Sequence, residues 1–206
     1  MALTKTILNG HTVEYDDTEF EIVTNAHNVK YLHYIGEGND VHNPKGNTSC
    51  VLMFQDYKGT NLDLSNFNTQ DVTDMSEMFE NCDNLKQLSL SNFNTSNVIS
   101  MECMFYNCKN LKLLDISKLN TESVINMEGM FGKCENLKEL DISSFYIDNT
   151  KKIDDIFWNC KGLEKLKVCS DYLQFFSVNR ISLETGNRVS IISMSKLDKA
   201  VENLFY

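Results

Sequence analysis

The chain has 206 residues, 42% of them hydrophobic and 23% charged, enough apolar material for one folded unit with a sizeable core and too much for a disordered chain. Its 19 Lys and Arg stand against 29 Asp and Glu, a net charge of −10, which disfavours direct binding to nucleic acid. No run of about 18 apolar residues is available for a membrane span, and the start, Met1 to Gly10, turns polar too soon for the core of an export signal.

At the N-terminus, Asn9-Gly10 sits between Ile7-Leu8 and His11-Thr12-Val13, the pair favoured in a type I′ hairpin turn. Phe20 with Ile22, and Val29 with Tyr31, continue the strand alternation. Gly36 to Thr48 holds three Gly and the only Pro, Pro44, and reads as a loop. Residues 1–49 are therefore expected to form a β cap followed by a loop.

From there a repeat takes over. Cys82, Cys108, Cys134 and Cys160 are each 26 residues apart, and so are Phe79, Phe105, Phe131 and Phe157. Leu85, Leu111, Leu137 and Leu163 keep the same step, as do Leu62, Leu88, Leu114, Leu140 and Leu166. Within one unit, Leu88 and Leu90 are two apart, as on a strand with one buried face. Val98, Met101, Met104, Phe105 and Cys108 recur at three and four, which predicts a helix. Asp71, Asn97, Ser123 and Asn149 precede that stripe in successive units and suit helix N-caps. The segment Cys50 to Phe54 reads as a degenerate first helix.

A single unit cannot fold alone. It offers about seven apolar side chains at up to ~3 kcal/mol each, against ~1 to 2 kcal/mol of backbone ordering per residue. Stacking buries both faces of each unit, so residues 50–168 are expected to form a solenoid with closed ends. Strands at ~4.8 Å and helices at ~8 to 10 Å would bend it into a horseshoe segment. The columns stop after Val168, leaving 169–206 as a C-terminal cap. There Thr185-Gly186-Asn187 suggests a turn, and Ser195 would cap a helix with Leu197, Val201 and Leu204 on one face.

The unit Leu88-Ser89-Leu90-Ser91-Asn92-Phe93-Asn94-Thr95, with Met101, Met104-Phe105, Cys108 and Leu111, resembles the BspA-like leucine-rich repeats of bacterial surface proteins. The best copies are Ser65 to Thr69 and Ser91 to Thr95, while the fourth unit drifts, with Tyr146-Ile147 in place of Asn-Thr. The resemblance implies an α/β, right-handed leucine-rich-repeat solenoid of strand-helix units, and a non-enzymatic binding or adhesion protein outside the cell. The β-rich N-terminal cap and a mixed C-terminal cap complete the predicted fold.

Catalytic chemistry is hard to find in this sequence. Seven cysteines leave at least one thiol free, and a column of one Cys per coil forms a row, which cannot converge on a tetrahedral metal. The column reads as small buried hydrophobes, and a reducing, cytoplasmic setting is expected, with the cell surface as the alternative that the resemblance implies. His11, His27, His33 and His42 show no ligand spacing, and Gly36-Glu37-Gly38 lacks the Lys and Ser or Thr of a phosphate loop. Asp16-Asp17 and Asp154-Asp155 read as solvated charges. No catalytic residue, metal site or cofactor is assigned.

The strand face is the candidate recognition surface, because residues that alternate with the leucines must point outward. One row runs Asn61, Gln87, Leu113, Glu139, Lys165, the next Asp63, Ser89, Asp115, Asp141, Lys167, and a third Ser65, Ser91, Ser117, Ser143, Cys169. Asp115 beside Asp141 would weaken strand pairing by ~0.2 to 1 kcal/mol, a repulsion that a basic partner would relieve. The partner-binding candidates are Asp63, Gln87, Leu113, Asp115, Glu139, Asp141, Lys165 and Lys167, with Tyr106 and Trp158 on the opposite side as secondary candidates. The expected function is a non-enzymatic interaction module, monomeric or weakly dimeric, that presents a rigid acidic face to a protein with a basic patch. Alternatives are an adhesin fragment lacking its export signal and a small acidic inhibitor of a nucleic-acid-binding enzyme.

Overall fold

The computed structural model describes residues 3–25, 27–176, 185, 186 and 188–194. The hairpin predicted at Asn9-Gly10 joins β1 (Thr4–Leu8) to β2 (His11–Tyr15). Asn9 and Gly10 both have positive φ, 51° and 82°, as a type I′ turn requires. A second antiparallel pair, β3 (Phe20–Thr24) and β4 (Lys30–Tyr34), follows. It delivers Tyr34 into the core, where its N–H donates to the Met53 carbonyl at 2.7 Å.

Among the described residues of the rest of the chain five short strands recur: β5 (Gln87–Ser89), β6 (Leu113–Asp115), β7 (Glu139–Ile142), β8 (Lys165–Cys169) and β9 (Ser190–Met194). β5 pairs with β6, β7 with β8, and β8 with β9, all in parallel. The predicted helix between strands is absent: no residue from 48 to 169 is helical. The strand-helix α/β leucine-rich repeat is thus corrected to a β-solenoid, whose coils are short strands joined by successive tight turns.

The backbone shows why. In each coil two residues of the expected helix lie in the left-handed region: Glu77 and Asn81 at φ 56° and 60°, Cys103 and Asn107 at 51° and 62°, Gly129 and Lys133 at 63° and 60°, Asp155 and Asn159 at 55° and 60°. A left-handed residue stops a right-handed helix, and here one comes every fourth position. The N–H groups between them alternate between two acceptors. Met104, Tyr106 and Cys108 donate to the residue three back, whereas Cys103, Phe105 and Asn107 donate to Glu128, Met130 and Gly132 of the next coil at 2.7 to 2.9 Å. Core residues still recur at three and four, because each turn returns a side chain inward, so the spacing imitates a helix. The predicted caps serve another purpose. Asn97, Ser123 and Asn149 donate from their side chains to carbonyls of Gln70, Ser96 and Glu122 in the preceding coil, each at 2.9 Å. Cys50 to Phe54, read as a first helix, is likewise a run of turns. Without helices, the width mismatch that would have forced a horseshoe is gone.

The interior is a pile of identical layers. Phe54, Phe79, Phe105, Phe131 and Phe157 stack with ring centroids 5.4 to 5.7 Å apart and planes within 9°. Beside them each cysteine thiol donates to a phenylalanine carbonyl of the preceding coil: Cys82 to Phe54, Cys108 to Phe79, Cys134 to Phe105 and Cys160 to Phe131, at 2.7 to 3.2 Å. Buried threonines form a third row. The Thr95 hydroxyl donates to the Asn120 carbonyl at 2.7 Å and accepts the Asn120 N–H at 2.8 Å, and Thr69 and Thr121 repeat the exchange. Ile147 stands next in this row and cannot continue it, which matches the drift of the fourth unit.

Both ends differ from expectation in detail. Residues 36–48 lack regular structure but stack as an additional coil: Val41 donates to Asp63, Asp63 donates to Gly38, and Val41 is fully buried. Gly38 lies 26 before Leu64, and a Cβ there would fall 2.0 Å from the Tyr57 hydroxyl oxygen, so the missing side chain makes room for a phenol that closes the stack. At the other end β9, unforeseen because its register on β8 is 25 rather than 26, adds a strand beyond Val168. Phe176 packs on Phe157 at 6.2 Å. The helix predicted from Ser195, with Leu197, Val201 and Leu204, lies outside the described residues, as does Asn187 of the predicted turn.

Two outcomes check this architecture. Far-ultraviolet circular dichroism of the chain should lack the double minimum of an α/β protein. Thr95→Val should destabilise by ~1 to 3 kcal/mol, because the Asn120 N–H loses its buried acceptor, while Thr95→Ser should cost clearly less in the same urea titration.

Candidate functional site on the strand face

The outward rows read from the sequence fall into two unlike halves. Over the C-terminal half, Lys165 reaches Glu139 at 2.7 Å and Lys167 reaches Asp141 at 3.5 Å, so the charges of this half are paired. Over the N-terminal half a cleft of about 640 Å³ opens between residues 61–65 and β5, with Leu113 and Asp115 on its far rim. Its volume is that of a small-ligand or peptide site. No Lys, Arg or His lines it, and Leu113 on its rim is 66% exposed.

The carboxylates of this half are built in. Asp63 accepts the Ser65 N–H at 3.0 Å, which, with a further hydrogen bond from the Ser65 side chain, holds its carboxyl below the usual range. Partial burial pushes the Asp115 carboxyl up. Bonds from the Ser117 hydroxyl at 2.8 Å, the Ser117 N–H and the Ser89 hydroxyl at 3.2 Å, with the charge of Lys118, outweigh this and leave it lowered. Both stay charged near neutral pH. The expected lateral clash of Asp115 with Asp141 is corrected by the topology, because β6 and β7 belong to separate sheets. Asp115 leans back to Ser89, and Asp141 leans forward to Lys167.

The secondary candidates are engaged with each other. Tyr106 and Trp158, two coils apart, stack at 6.4 Å with planes within 6°, and the Lys133 ammonium lies 5.0 Å from both rings. Gly132 between them permits this, since a Cβ there would lie 2.7 Å from the Tyr106 ring. Trp158 nevertheless keeps 44% exposure.

A feature that the helical reading missed lies on the same turn side, where Asp74, Glu77, Glu80 and Glu102 gather. Burial, then the charge of Glu80 and a hydrogen bond with it, then the charges of Glu102 and Asp74, push the Glu77 carboxyl from its ordinary 4.5 to about 7. Gln55 and Asn126 donate to Glu80 and Glu102 at 2.6 and 2.7 Å. The same acidic surroundings add to burial at Cys103, pushing its thiol up to about 12. Lining up residues 26 apart would have brought Ser76 beside Glu102, but a helix would have turned these side chains to solvent. Among the described residues no three His, Cys, Asp or Glu are placed to hold a metal ion.

Residues 48–169, more than half of the chain, match a family described as Mycoplasma protein of unknown function, DUF285. The chain belongs to the DUF285 family. No curated protein and no solved structure matches it. The DUF285 region contains both walls of the cleft, the aromatic stack and the carboxylate cluster, and it ends with β8. The DUF285 match thus ends where the 26-residue columns end, and leaves the hairpin cap, most of the additional coil of residues 36–48 and β9 outside it.

The carboxylate cluster of the DUF285 region makes stability depend on pH. The folded state holds the Glu77 proton more tightly than the unfolded chain, so this contribution is fully present below about pH 4.5 and is lost as pH rises through about 7. Glu77→Gln should raise the melting temperature at pH 8 relative to the parent chain, with the difference shrinking towards pH 5. A difference that is equal at both pH values would contradict the assignment.

Proposed function

We propose that the chain is a non-enzymatic protein-binding module whose docking surface is the strand-face cleft and whose partner carries a basic patch. One observation carries this reading. The cleft rim holds Asp63 and Asp115 with no cation among its lining residues, while the other acidic residues of the face, Glu139 and Asp141, already have lysine partners. Negative charge left unpaired at a concave, preformed site favours a positively charged ligand and speeds its approach. The stacked core beneath it holds these residues in place before a partner arrives, which lowers the ordering cost of association.

The BspA-like resemblance gives the adhesin reading less support than the cleft gives a general binding role. In the Ser-Asn-Phe-Asn-Thr copies, Phe67 and Phe93 are buried, Thr69 and Thr95 bond the next coil, and Asn92 donates to the Leu64 and Ser65 carbonyls. The motif therefore accounts for how a coil is built, and the recognition residues lie outside most of it.

Neutralisation tests the site without breaking its turns, because an Asn side chain keeps the oxygen that accepts from Ser65 or Ser117. The double variant Asp63→Asn, Asp115→Asn should bind a basic partner protein at least about tenfold more weakly, with a reduced dependence on salt, and with melting temperature nearly unchanged. The control Glu139→Gln, Asp141→Asn should bind as the parent does. Equal loss in both, or in neither, would place the docking surface elsewhere.

A further inference from the structure

The free edge of the N-terminal hairpin carries a pairing pattern that the cleft does not use. In an antiparallel pair, successive residues turn their N–H and C=O alternately to the partner strand and away from it. The far side of β2 settles which residues do which. Glu14 donates its N–H to the Lys45 carbonyl at 3.0 Å, so Glu14 and its opposite residue Lys5 exchange no backbone bond with each other. On β1, Leu3, Lys5 and Ile7 therefore turn their backbone groups away from β2. Among the described residues none of these groups has a hydrogen-bond partner. Their side chains share the outer face, where Leu3 is 52% and Ile7 72% exposed. Strand edges are commonly blunted by an unpaired charge, a proline or a bulge. β1 has no proline and keeps an unbroken register on β2 over its five residues. Its one charge, Lys5, is held by Glu14 at 2.9 Å.

We propose that β1 is a dimer seam, pairing in antiparallel with β1 of a second copy of this chain across a two-fold axis at Lys5. The order of its side chains points to this occupant. Leu3-Thr4-Lys5-Thr6-Ile7 reads the same in both directions by side-chain type. The two-fold sets Leu3 against the second copy's Ile7, Thr4 against its Thr6 and Lys5 against its Lys5, and apolar pairs and Thr pairs are favourable neighbours across strands. The same register brings every outward backbone group of Leu3, Lys5 and Ile7 opposite an outward group of the other copy. A slip of one residue would set outward groups against inward ones, and a slip of two would set Lys5 against an apolar side chain. Charge is accommodated on the axis, because each Lys5 keeps its own Glu14, and the four strands run Glu14, Lys5, Lys5, Glu14. None of these residues lines the cleft, so the seam is independent of the docking surface. Each copy carries a net charge of −10, so the pairing should tighten as salt screens their repulsion, the opposite sign from capture of a basic partner.

Sedimentation equilibrium of the full chain over a rising concentration series should show the mass moving from one chain towards two, and further at high salt than at low. Lys5→Pro removes the central outward N–H and spares the bonds between β1 and β2, so it should weaken association at least about tenfold. Two cysteine variants read the register even if the proline variant fails to fold. On the axis, Lys5→Cys faces its counterpart at a Cα spacing of about 5.5 Å, within disulfide reach, and mild oxidation should link two chains through residue 5. Ile7→Cys lies about 13 Å along the strand from its counterpart and should not link. A chain that stays single at every concentration, or cysteine variants that link alike, would overturn the seam, as would a folded Lys5→Pro chain that associates like the parent. Each of these results would leave the test of Asp63 and Asp115 at the cleft untouched.

Discussion

Every coil of the repeat region is tied to the next by hydrogen bonds between residues about one repeat apart, 24 to 29 positions, and that tie is the constraint from which the rest follows. Equivalent atoms must repeat at about the spacing of adjacent strands, ~4.8 Å, on every side of the coil. Helices cannot meet this condition, because they pack at ~8 to 10 Å. Phenyl rings can, in parallel stacks at 5.4 to 5.7 Å, and so can small thiols and threonine hydroxyls that reach one carbonyl away. The residue types of the columns are those whose side chains tolerate an identical neighbour directly above and below.

The period, the core columns and the hairpin at Asn9-Gly10 were legible in the sequence because each is a statement about spacing. The local conformation of the turn segment was not. Val98, Met101, Met104, Phe105 and Cys108 satisfy a helical stripe, and only positive φ at Cys103 and Asn107 separates the turns from a helix. The neighbouring coils put Glu77, Gly129 and Asp155 at one of these positions and Asn81, Lys133 and Asn159 at the other. Gly and Asn hint at the left-handed region, but Glu and Lys do not. The inter-coil bonds that compensate these residues act over 25 positions, beyond the reach of a local propensity. At the C-terminus a slip to a register of 25 hid β9 in the same way that a step of 25 blurred the first coil at Met53-Phe54.

The outward rows of the strand face could also be written down from the period, but their division into a paired half and an open half could not. It depends on which neighbour each side chain leans towards: Asp115 to Ser89 behind it, Asp141 to Lys167 ahead of it. It depends too on where the strand ladder is interrupted. Both interruptions fall on the strand side alone, between residues 61–65 and β5 and between β6 and β7, while the turn side keeps its bonds at every step.

That one-sided interruption gives the molecule a grain. The turn side is stitched at each layer like the spine of a book, and the strand side is fastened only in groups of leaves. Bending that parts the leaves meets less resistance than bending that stretches the spine, so thermal flexing of the rod should be concentrated in a single plane and should widen or narrow the cleft as it occurs.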